Sequence, residues 1–185
     1  MLTNATDDLL IDQVLKGDKT SFRVLVERYQ NMVFTLAFRI TGKREEAEEV
    51  AQDVFMKVYN GLSGFEGNAK FSSWLYRISH NTALTKIRNR KTEFQSLDNF
   101  ERSAQHNENS NVAVQNEAEQ VFTREYINRA IGMLEPEEST VITLFYLSEL
   151  SLDEIGQVLN IEANAAKVRL HRARKKLREK MELIG

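Results

Sequence analysis

Two runs of basic side chains are the part of this sequence whose residue types and spacing point most directly to chemistry. Six lysines and arginines, and no acid, lie between positions 70 and 91. Eight more lie between positions 167 and 180, against the single acid Glu179. On a chain whose formal net charge is only −2, two separated basic runs are typical of two footprints on a polyanion such as nucleic acid. Two solvated helix faces are the alternative interpretation.

Groups for covalent or redox catalysis do not accompany these runs. The sequence has no cysteine, which excludes disulfides, thiolate metal sites and cysteine nucleophiles. Its three histidines, His80, His106 and His171, are far apart, and it contains neither a phosphate-binding glycine loop nor a nucleophile elbow. Helical di-metal sites use Glu-x-x-His pairs, which are also missing. We therefore expect no enzyme, no catalytic residue, no metal site and no cofactor.

Helices must position the basic runs, because apolar residues recur at intervals of three and four along most of the chain. Eight glycines and one proline are also too few for a turn-dense β architecture. In the first half the spacing predicts four helices. The first runs from Asp7 to Lys16, the second ends at Gly42, the third ends at Leu62, and the fourth begins at about Ser72. The third carries a buried stripe that includes Tyr59, and three long helices of this kind can pack as a bundle.

The pattern is lost between the two halves. Residues 93–118 hold five acidic residues and one basic residue and are rich in asparagine. We interpret them as a flexible acidic linker, although a short docked helix is an alternative. The predicted domains are therefore 1–92, with net charge +3, and 119–185, with net charge −1.

The second half predicts a helix-turn-helix. Pro136 suits the first turn of a helix whose Phe145 and Tyr146 face inward. Ser151 and Glu154 form a capping box for the next helix. Gly156 is small where the following helix crosses, and Asn160 tolerates a left-handed turn. The last helix then buries one side through residues Ala166, Leu170 and Ala173.

The opposite side of the last helix is basic and suited to the DNA major groove. Residues early in that helix point into the groove, so Lys167, Arg169 and Arg172 are the better candidates for reading bases. Lys175, Lys176 and Arg178 lie further along and are expected to touch the DNA backbone or water. A basic helical hairpin that binds no DNA is the alternative.

The fold class expected is therefore all-α, with an N-terminal helix bundle and a C-terminal helix-turn-helix joined by a flexible linker. No apolar run approaches the ~18 residues of a membrane span, and the first residues do not resemble a signal peptide. We expect a cytoplasmic protein with no membrane insertion of its own.

Four segments resemble, in the same order, the bacterial RNA polymerase sigma factors of the extracytoplasmic-function (ECF) group. Residues 45–59, EEAEEVAQDVFMKVY, are similar to the family's polymerase-binding helix. Residues 71–84, FSSWLYRISHNTAL, are similar to its segment for melting promoter DNA and reading the minus-ten element. Residues 134–138 and 150–156, and then 168–177, resemble its helix-turn-helix domain and recognition helix, which hold the minus-thirty-five element as duplex.

The resemblance implies site residues in the first half. Glu49, Gln52 and Asp53 match the docking helix, although a solvated acidic face is the alternative on charge alone. The minus-ten candidates fall into a base pocket, a contact to the unpaired strand and a set of phosphate contacts. They are Phe65, Asn68 and Lys70 in the pocket, Asn81 on the strand, and Lys86, Arg88 and Arg90 on phosphates. We expect Trp74 to pack in the core rather than stack on a base, and Tyr76 to be more open.

In the second half the resemblance implies minus-thirty-five contacts from the recognition helix. The candidates are Lys167, Val168, Arg169, His171 and Arg172. This chain departs from many relatives at Ala165-Ala166, where Thr-Val is frequent, and at Val168, where a small polar residue is common. Valine can touch a thymine methyl group but cannot hydrogen-bond a base, so the promoter sequence stays open.

The partners implied are bacterial core RNA polymerase, promoter DNA and an anti-sigma factor that wedges between the two domains or clamps them. The alternative function is a free-standing helix-turn-helix regulator whose first bundle serves dimerisation or effector binding. That protein would bind an operator without polymerase. Two basic runs favour the sigma factor, because a repressor needs only one.

Overall fold

The computed structural model describes residues 5–97 and 118–184, and within these ranges all regular structure is helical. The elements are α1 (Asp7–Leu15), α2 (Lys19–Thr41), α3 (Arg44–Gly61), a 3₁₀ turn (Leu62–Gly64), α4 (Phe71–Leu97), α5 (Ala118–Gly132), α6 (Pro136–Tyr146), α7 (Leu152–Leu159) and α8 (Ala163–Ile184). The all-α prediction, with one helical unit before and one after the central segment, is confirmed.

The first unit is a bundle of α2, α3 and α4, with α1 against α2. Asp18 begins α2 by accepting a hydrogen bond from the Thr20 amide at 2.9 Å, which satisfies an otherwise unpaired helix N–H. Gly42 ends the helix with a φ of 73°, a conformation that glycine adopts without steric cost. The three helices pack against one another with their apolar stripes facing one core.

The second unit packs α8 against α5, α6 and α7. Pro136 occupies the first turn of α6, and the Glu138 carboxylate accepts from the Glu135 amide at 3.3 Å. Both features stabilise the first turn of α6, a helix that is buried along most of its length. The expected positions of Pro136 and of the α7 capping box are confirmed.

The two units are in direct contact. Helix α4 packs against α7, and α2 packs against α6. Buried apolar residues of both units, Leu75 and Ile155 among them, belong to one contiguous hydrophobic cluster. The Arg39 guanidinium of α2 donates to the Asn128 side-chain oxygen of α5 at 2.9 Å. The described parts of the chain therefore share a core.

Three expectations about individual residues are wrong. Tyr59 is 45% exposed, because Val58 is the residue of that turn that points into the core. Tyr146 is 52% exposed, because it lies at the last position of α6. Tyr76, expected to be open, is only 5% exposed.

The central segment differs from the expectation at its edges. Helix α4 continues to Leu97 and α5 begins at Ala118, so both ends of the predicted linker are helical. Residues 98–117 of that linker lie outside the described residues. Among the helices of the described ranges, none is long and apolar enough to cross a membrane.

Candidate nucleic-acid and protein interfaces

The helix-turn-helix is held by its first capped helix and by the turn that follows. The Ser151 hydroxyl accepts from the Glu154 amide at 3.2 Å, and the Glu154 carboxylate accepts from the Ser151 amide at 2.8 Å. Asn160 ends α7 in the left-handed conformation, with φ 53° and ψ 50°. Both roles are the ones that the sequence predicts.

Gly156 permits the close approach of the turn to α7. A Cβ at this position would lie 2.7 Å from the backbone oxygen of Ile161 and 3.5 Å from the nitrogen of Ala163. The first distance is too short for any side chain, because backbone cannot move aside as a flexible side chain can. Behind the turn, Ala166, Leu170 and Ala173 are at most 3% exposed and seat α8 on the core. The angle of α8 is therefore fixed by packing.

All five predicted minus-thirty-five residues lie on the exposed side of α8. They are Lys167, Val168, Arg169, His171 and Arg172. Val168 is 48% exposed, which leaves an apolar patch among the basic groups. Arg169 lies 3.8 Å from the Glu137 carboxylate, but both side chains are well exposed, so the pairing is weak. The structure brings these five residues together on one surface.

Further along α8, basic side chains make contacts within the protein. Lys176 forms an ion pair with Glu138, which raises the pKa of the lysine. The Arg174 guanidinium lies over the rings of Phe145 and Tyr146, at 4.9 and 5.4 Å from their centroids. Such cation–π contacts hold the guanidinium in place. The distal half of α8 therefore has fewer free cations than its sequence implies.

The loop before α4 carries the predicted base-pocket residues, which the structure places in different environments. The Phe65 ring packs against Phe71 and Trp74, with centroids 5.9 and 5.2 Å apart. Trp74 is only partly exposed, as its predicted packing role requires. Asn68 is exposed and donates to Glu66 at 2.9 Å. Phe65 thus supports the loop from below, and Asn68 lies on its surface.

Lys70, the third pocket candidate, contacts the other unit of the chain. Its ammonium lies 3.0 Å from a carboxylate oxygen of Glu154. Burial alone would raise the pKa of Glu154, but hydrogen bonds from Ser151 and Lys70 outweigh it and the pKa is lowered. The lysine remains 70% exposed while the glutamate side chain is only 17% exposed.

The remaining minus-ten candidates separate onto two faces of α4. Lys86 and Arg90, four residues apart, point toward α3, where they pair with Glu49 and Glu46. Hydrogen bonding to Glu49 raises the pKa of Lys86. Asn81 and Arg88, seven residues apart, lie on an exposed face.

Arg77 shares that exposed face, four residues before Asn81. It belongs to the first basic run, but the sequence analysis did not select it as a site residue. Helical spacing from Asn81 is the signal that could have found it.

The three docking candidates share an exposed face of α3. Glu49, Gln52 and Asp53 are exposed, whereas Val50 and Val54 behind them are at most 1% exposed. Met56, three residues beyond Asp53, continues this face and is 66% exposed. Met56 was not among the residues predicted from the sequence. An exposed methionine beside carboxylates gives the face an apolar contact as well as charge.

Comparison with known proteins gives two family matches. Residues 25–93 match the sigma-70 region 2 family, and residues 124–177 match sigma-70 region 4. The first range contains α3 and most of α4, and the second contains the helix-turn-helix. The first match therefore covers the surfaces on α3 and α4, and the second covers the surface on α8.

Curated relatives match over nearly their whole length. The ECF RNA polymerase sigma factor SigW of Bacillus subtilis is 34% identical over 180 residues, covering 92% of this chain and 94% of SigW. The ECF RNA polymerase sigma-E factor of Escherichia coli is 32% identical over 189 residues, covering 98% and 97%.

Two solved structures share the fold. RpoE, in complex with the anti-sigma factor NepR from Bartonella quintana, superposes with a TM-score of 0.70 and 22% identity over 87% of this chain and 96% of that chain. CnrH, in complex with the cytosolic domain of CnrY, gives a TM-score of 0.66 and 23% identity over 97% and 99%.

Proposed function

The chain belongs to the ECF group of sigma-70-type RNA polymerase sigma factors, and on that premise we propose that it brings core polymerase to promoters by dividing three contacts among α3, α4 and α8. It binds core RNA polymerase and directs promoter recognition, DNA melting and initiation. The family is one of sigma factors, which are not enzymes, and the work is done by binding alone. Its place of action is the cytoplasm, where bacterial polymerase meets DNA.

The observation that carries the proposal is the exposed reading face of α8, seated at a fixed angle by Gly156. A recognition helix needs one side buried and the other free, and α8 has both. Arg169 and Arg172 can bond guanine edges in pairs, and Val168 can touch a thymine methyl group. This face serves the minus-thirty-five element, within a functional domain that spans 119–185.

Core polymerase docks on α3, in the functional domain that spans 1–92. Glu49, Gln52 and Asp53 present carboxylates and an amide from one exposed face. Charges on the rim of such an interface steer association and set specificity, while an apolar group such as Met56 adds buried area. The face therefore fits a basic surface with an apolar centre.

Single-stranded minus-ten DNA follows the exposed face of α4. Arg77, Asn81 and Arg88 track the strand, Asn68 and Lys70 meet a flipped base, and Phe65 supports the loop beneath it. Lys86 and Arg90 are held by α3 carboxylates, so their contribution to DNA is mainly the positioning of α4. Phosphate contacts from the exposed face supply affinity without reading sequence.

An anti-sigma factor controls the chain. RpoE and CnrH, which share the fold, were each solved with a partner of this kind or with a partner's cytosolic domain. We place the contact across both units, because these already lie against each other.

The test is binding to bacterial core polymerase, measured with the wild-type chain and three variants. Asp53→Lys should weaken core binding at least about tenfold, because a charge that steers association with the basic partner surface is reversed. Glu27→Lys, the same reversal on an exposed position of α2, is the matched control and should change little. Arg172→Ala should leave core binding intact and weaken binding of duplex promoter by the holoenzyme about tenfold.

A free-standing regulator would give the opposite pattern. It would dimerise, bind an operator without polymerase, and show no core binding that Asp53→Lys could alter. A folded, monomeric chain that fails to bind core polymerase overturns the proposal.

A further inference from the structure

The Asn164 side chain lies at the start of α8 and has no role in the sites described above. It is the second residue of the helix and is exposed. Within the described part of the chain its carboxamide forms no hydrogen bond, whereas Asn68, which is also exposed, is held by Glu66. The donor and the acceptor of the Asn164 amide are therefore both free for a ligand.

Asn164 stands in line with two residues of the reading face. Val168 and Arg172 follow it at intervals of four, so the three side chains lie one above the other along the helix. Val168 is two residues from each of the buried Ala166 and Leu170, which places it about 200° around the helix from both. The line therefore runs along the side of α8 opposite the side that is seated on the core.

The neighbours of Asn164 leave its amide accessible. Ala165 is exposed and carries only a methyl group, and Val168, one turn later, is short and apolar. The longer cations lie to the sides of the line, where Arg169 is 3.8 Å from the Glu137 carboxylate. A base edge can therefore approach the amide without displacing a longer side chain.

The major-groove edge of adenine matches this free amide. Adenine presents its N7 acceptor beside its N6 amino donor, and an asparagine amide can bond both at once. Guanine presents two acceptors on the same edge, so the oxygen of the amide would face an acceptor. The chemistry of Asn164 therefore selects adenine over guanine.

The spacing along α8 places three contacts on neighbouring base pairs. Four residues of a helix rise about 6 Å, and one base pair rises ~3.4 Å, so each interval spans about two base pairs. Asn164, Val168 and Arg172 then meet, in that order, an adenine, a thymine methyl group and a guanine. All three contacts fall within about five base pairs.

We propose that Asn164 reads an adenine of the minus-thirty-five duplex, and that a thymine methyl group against Val168 completes the recognised sequence. The inference rests on the proposed function and deepens it by naming the bases that α8 selects. Because Ala165, Ala166 and Val168 depart from the family pattern, this base preference belongs to this chain and is not carried over from its relatives. Promoter choice then depends on the first two turns of α8.

The experiment uses holoenzyme assembled from the full-length chain and bacterial core polymerase. Promoter fragments randomised across the minus-thirty-five element are selected for binding and sequenced. The selection is repeated with Asn164→Ala and Asn164→Arg, and with Asn31→Ala as the matched control, which removes an exposed asparagine of α2 outside the candidate faces. Core binding of each variant is measured separately, and circular dichroism verifies that each is folded.

Modified bases in the selected site identify the atoms that are read. 7-Deazaadenine removes the N7 acceptor of adenine, and deoxyuridine removes the methyl group of thymine. The first should weaken binding by the wild-type holoenzyme about three- to tenfold and leave Asn164→Ala unaffected. The second should weaken wild-type binding and leave Val168→Ala unaffected.

We expect the wild-type chain to select adenine at one position. Asn164→Ala should lose about tenfold of that preference, Asn164→Arg should turn it to guanine, and Asn31→Ala should select the wild-type sequence. An equal loss of affinity on all sequences with Asn164→Ala, or the absence of an adenine preference that depends on Asn164, overturns the inference while leaving the sigma function standing. Failure of the wild-type chain to bind core polymerase overturns both.

Discussion

Helices α4 and α8 carry the two basic runs of the sequence, yet their cations are used differently. On α4, Lys86 and Arg90 are paired with carboxylates of α3, and Lys70 just before the helix is paired across the units. On α8, the first two turns keep their basic side chains exposed, with only the weak surface pair of Arg169 and Glu137, and closer internal contacts begin at Arg174 and Lys176. A count of charges therefore overstates the DNA-binding capacity of α4 and describes the start of α8 correctly.

The difference follows from what each helix packs against. Helix α3 has an acidic face beside α4. Lys86 and Arg90, four residues apart on α4, therefore pair with α3 carboxylates within the bundle. Helix α8 is seated through alanines and a leucine, and the α6 carboxylates Glu137 and Glu138 pair with Arg169 and Lys176 on its other side. The affinity of α4 for DNA is consequently expected from its exposed face only, and the affinity of α8 for DNA from its first half.

The largest expected effect concerns the close approach at Gly156 that seats α8. Gly156→Ala forces a Cβ against the Ile161 backbone oxygen, which we expect to cost about 1–3 kcal/mol by overpacking and to tilt α8. Urea unfolding measures the free energy, and promoter binding by the holoenzyme should fall more than core binding does. Gly64→Ala, where a Cβ meets nothing within 4 Å, is the control. Equal stability of the two variants would contradict the close approach described above.

A smaller effect should distinguish the exposed cation Arg77 of α4 from the paired cation Lys86. Arg77→Ala removes a cation from the exposed face, so the salt dependence of binding to single-stranded minus-ten DNA should fall by about 0.7 in log–log slope. Lys86→Ala removes a cation already paired with Glu49 and should change the slope by clearly less. The slope is obtained by measuring the affinity of the holoenzyme for this DNA at salt concentrations from low to high. Equal slopes for the two variants would mean that the pairing to α3 opens on DNA.

The smallest effect concerns pH at the place where α4 meets the second unit. Burial lowers the pKa of His80 below its usual 6.5; a hydrogen bond to Asn81 opposes this, the Arg169 charge adds to it, and the Glu137 charge opposes it. The unfolded chain therefore binds more protons than the folded chain just below pH 6.5. The free energy of unfolding should keep the full contribution of His80 above that pH and lose it as the pH falls below it.

Urea unfolding at pH 7.5 and 5.5 measures this change. His80→Gln should lose less of its free energy of unfolding between these two values than the wild-type chain does, because the titrating group is gone. An equal loss in the variant would place the titration elsewhere.

Local signals in the sequence predicted the helix-turn-helix well. Ser151, Glu154, Gly156 and Asn160 each act through neighbours a few residues away, so their spacing determines their roles. The all-α class and the buried stripes follow from the same short-range periodicity.

Features that depend on distant neighbours were not predictable. The pairing of Lys86 with Glu49, the burial of Tyr76 and the contact of Lys70 with Glu154 all depend on which helices meet. Helical spacing gives a face for each residue but does not say what covers that face. The sequence therefore gives the type of each candidate residue, while its electrostatic state required the packed structure.

The aromatic cluster under the minus-ten loop has an optical consequence. Trp74 is the only tryptophan of the chain, and its ring contacts Phe65 and Phe71 at the base of that loop. Intrinsic emission excited at the red edge of the aromatic absorption band, where tyrosine and phenylalanine no longer absorb, therefore arises from this one position. The wavelength and intensity of that emission report the hydration of the loop, without any dye and without interference from the second half of the molecule.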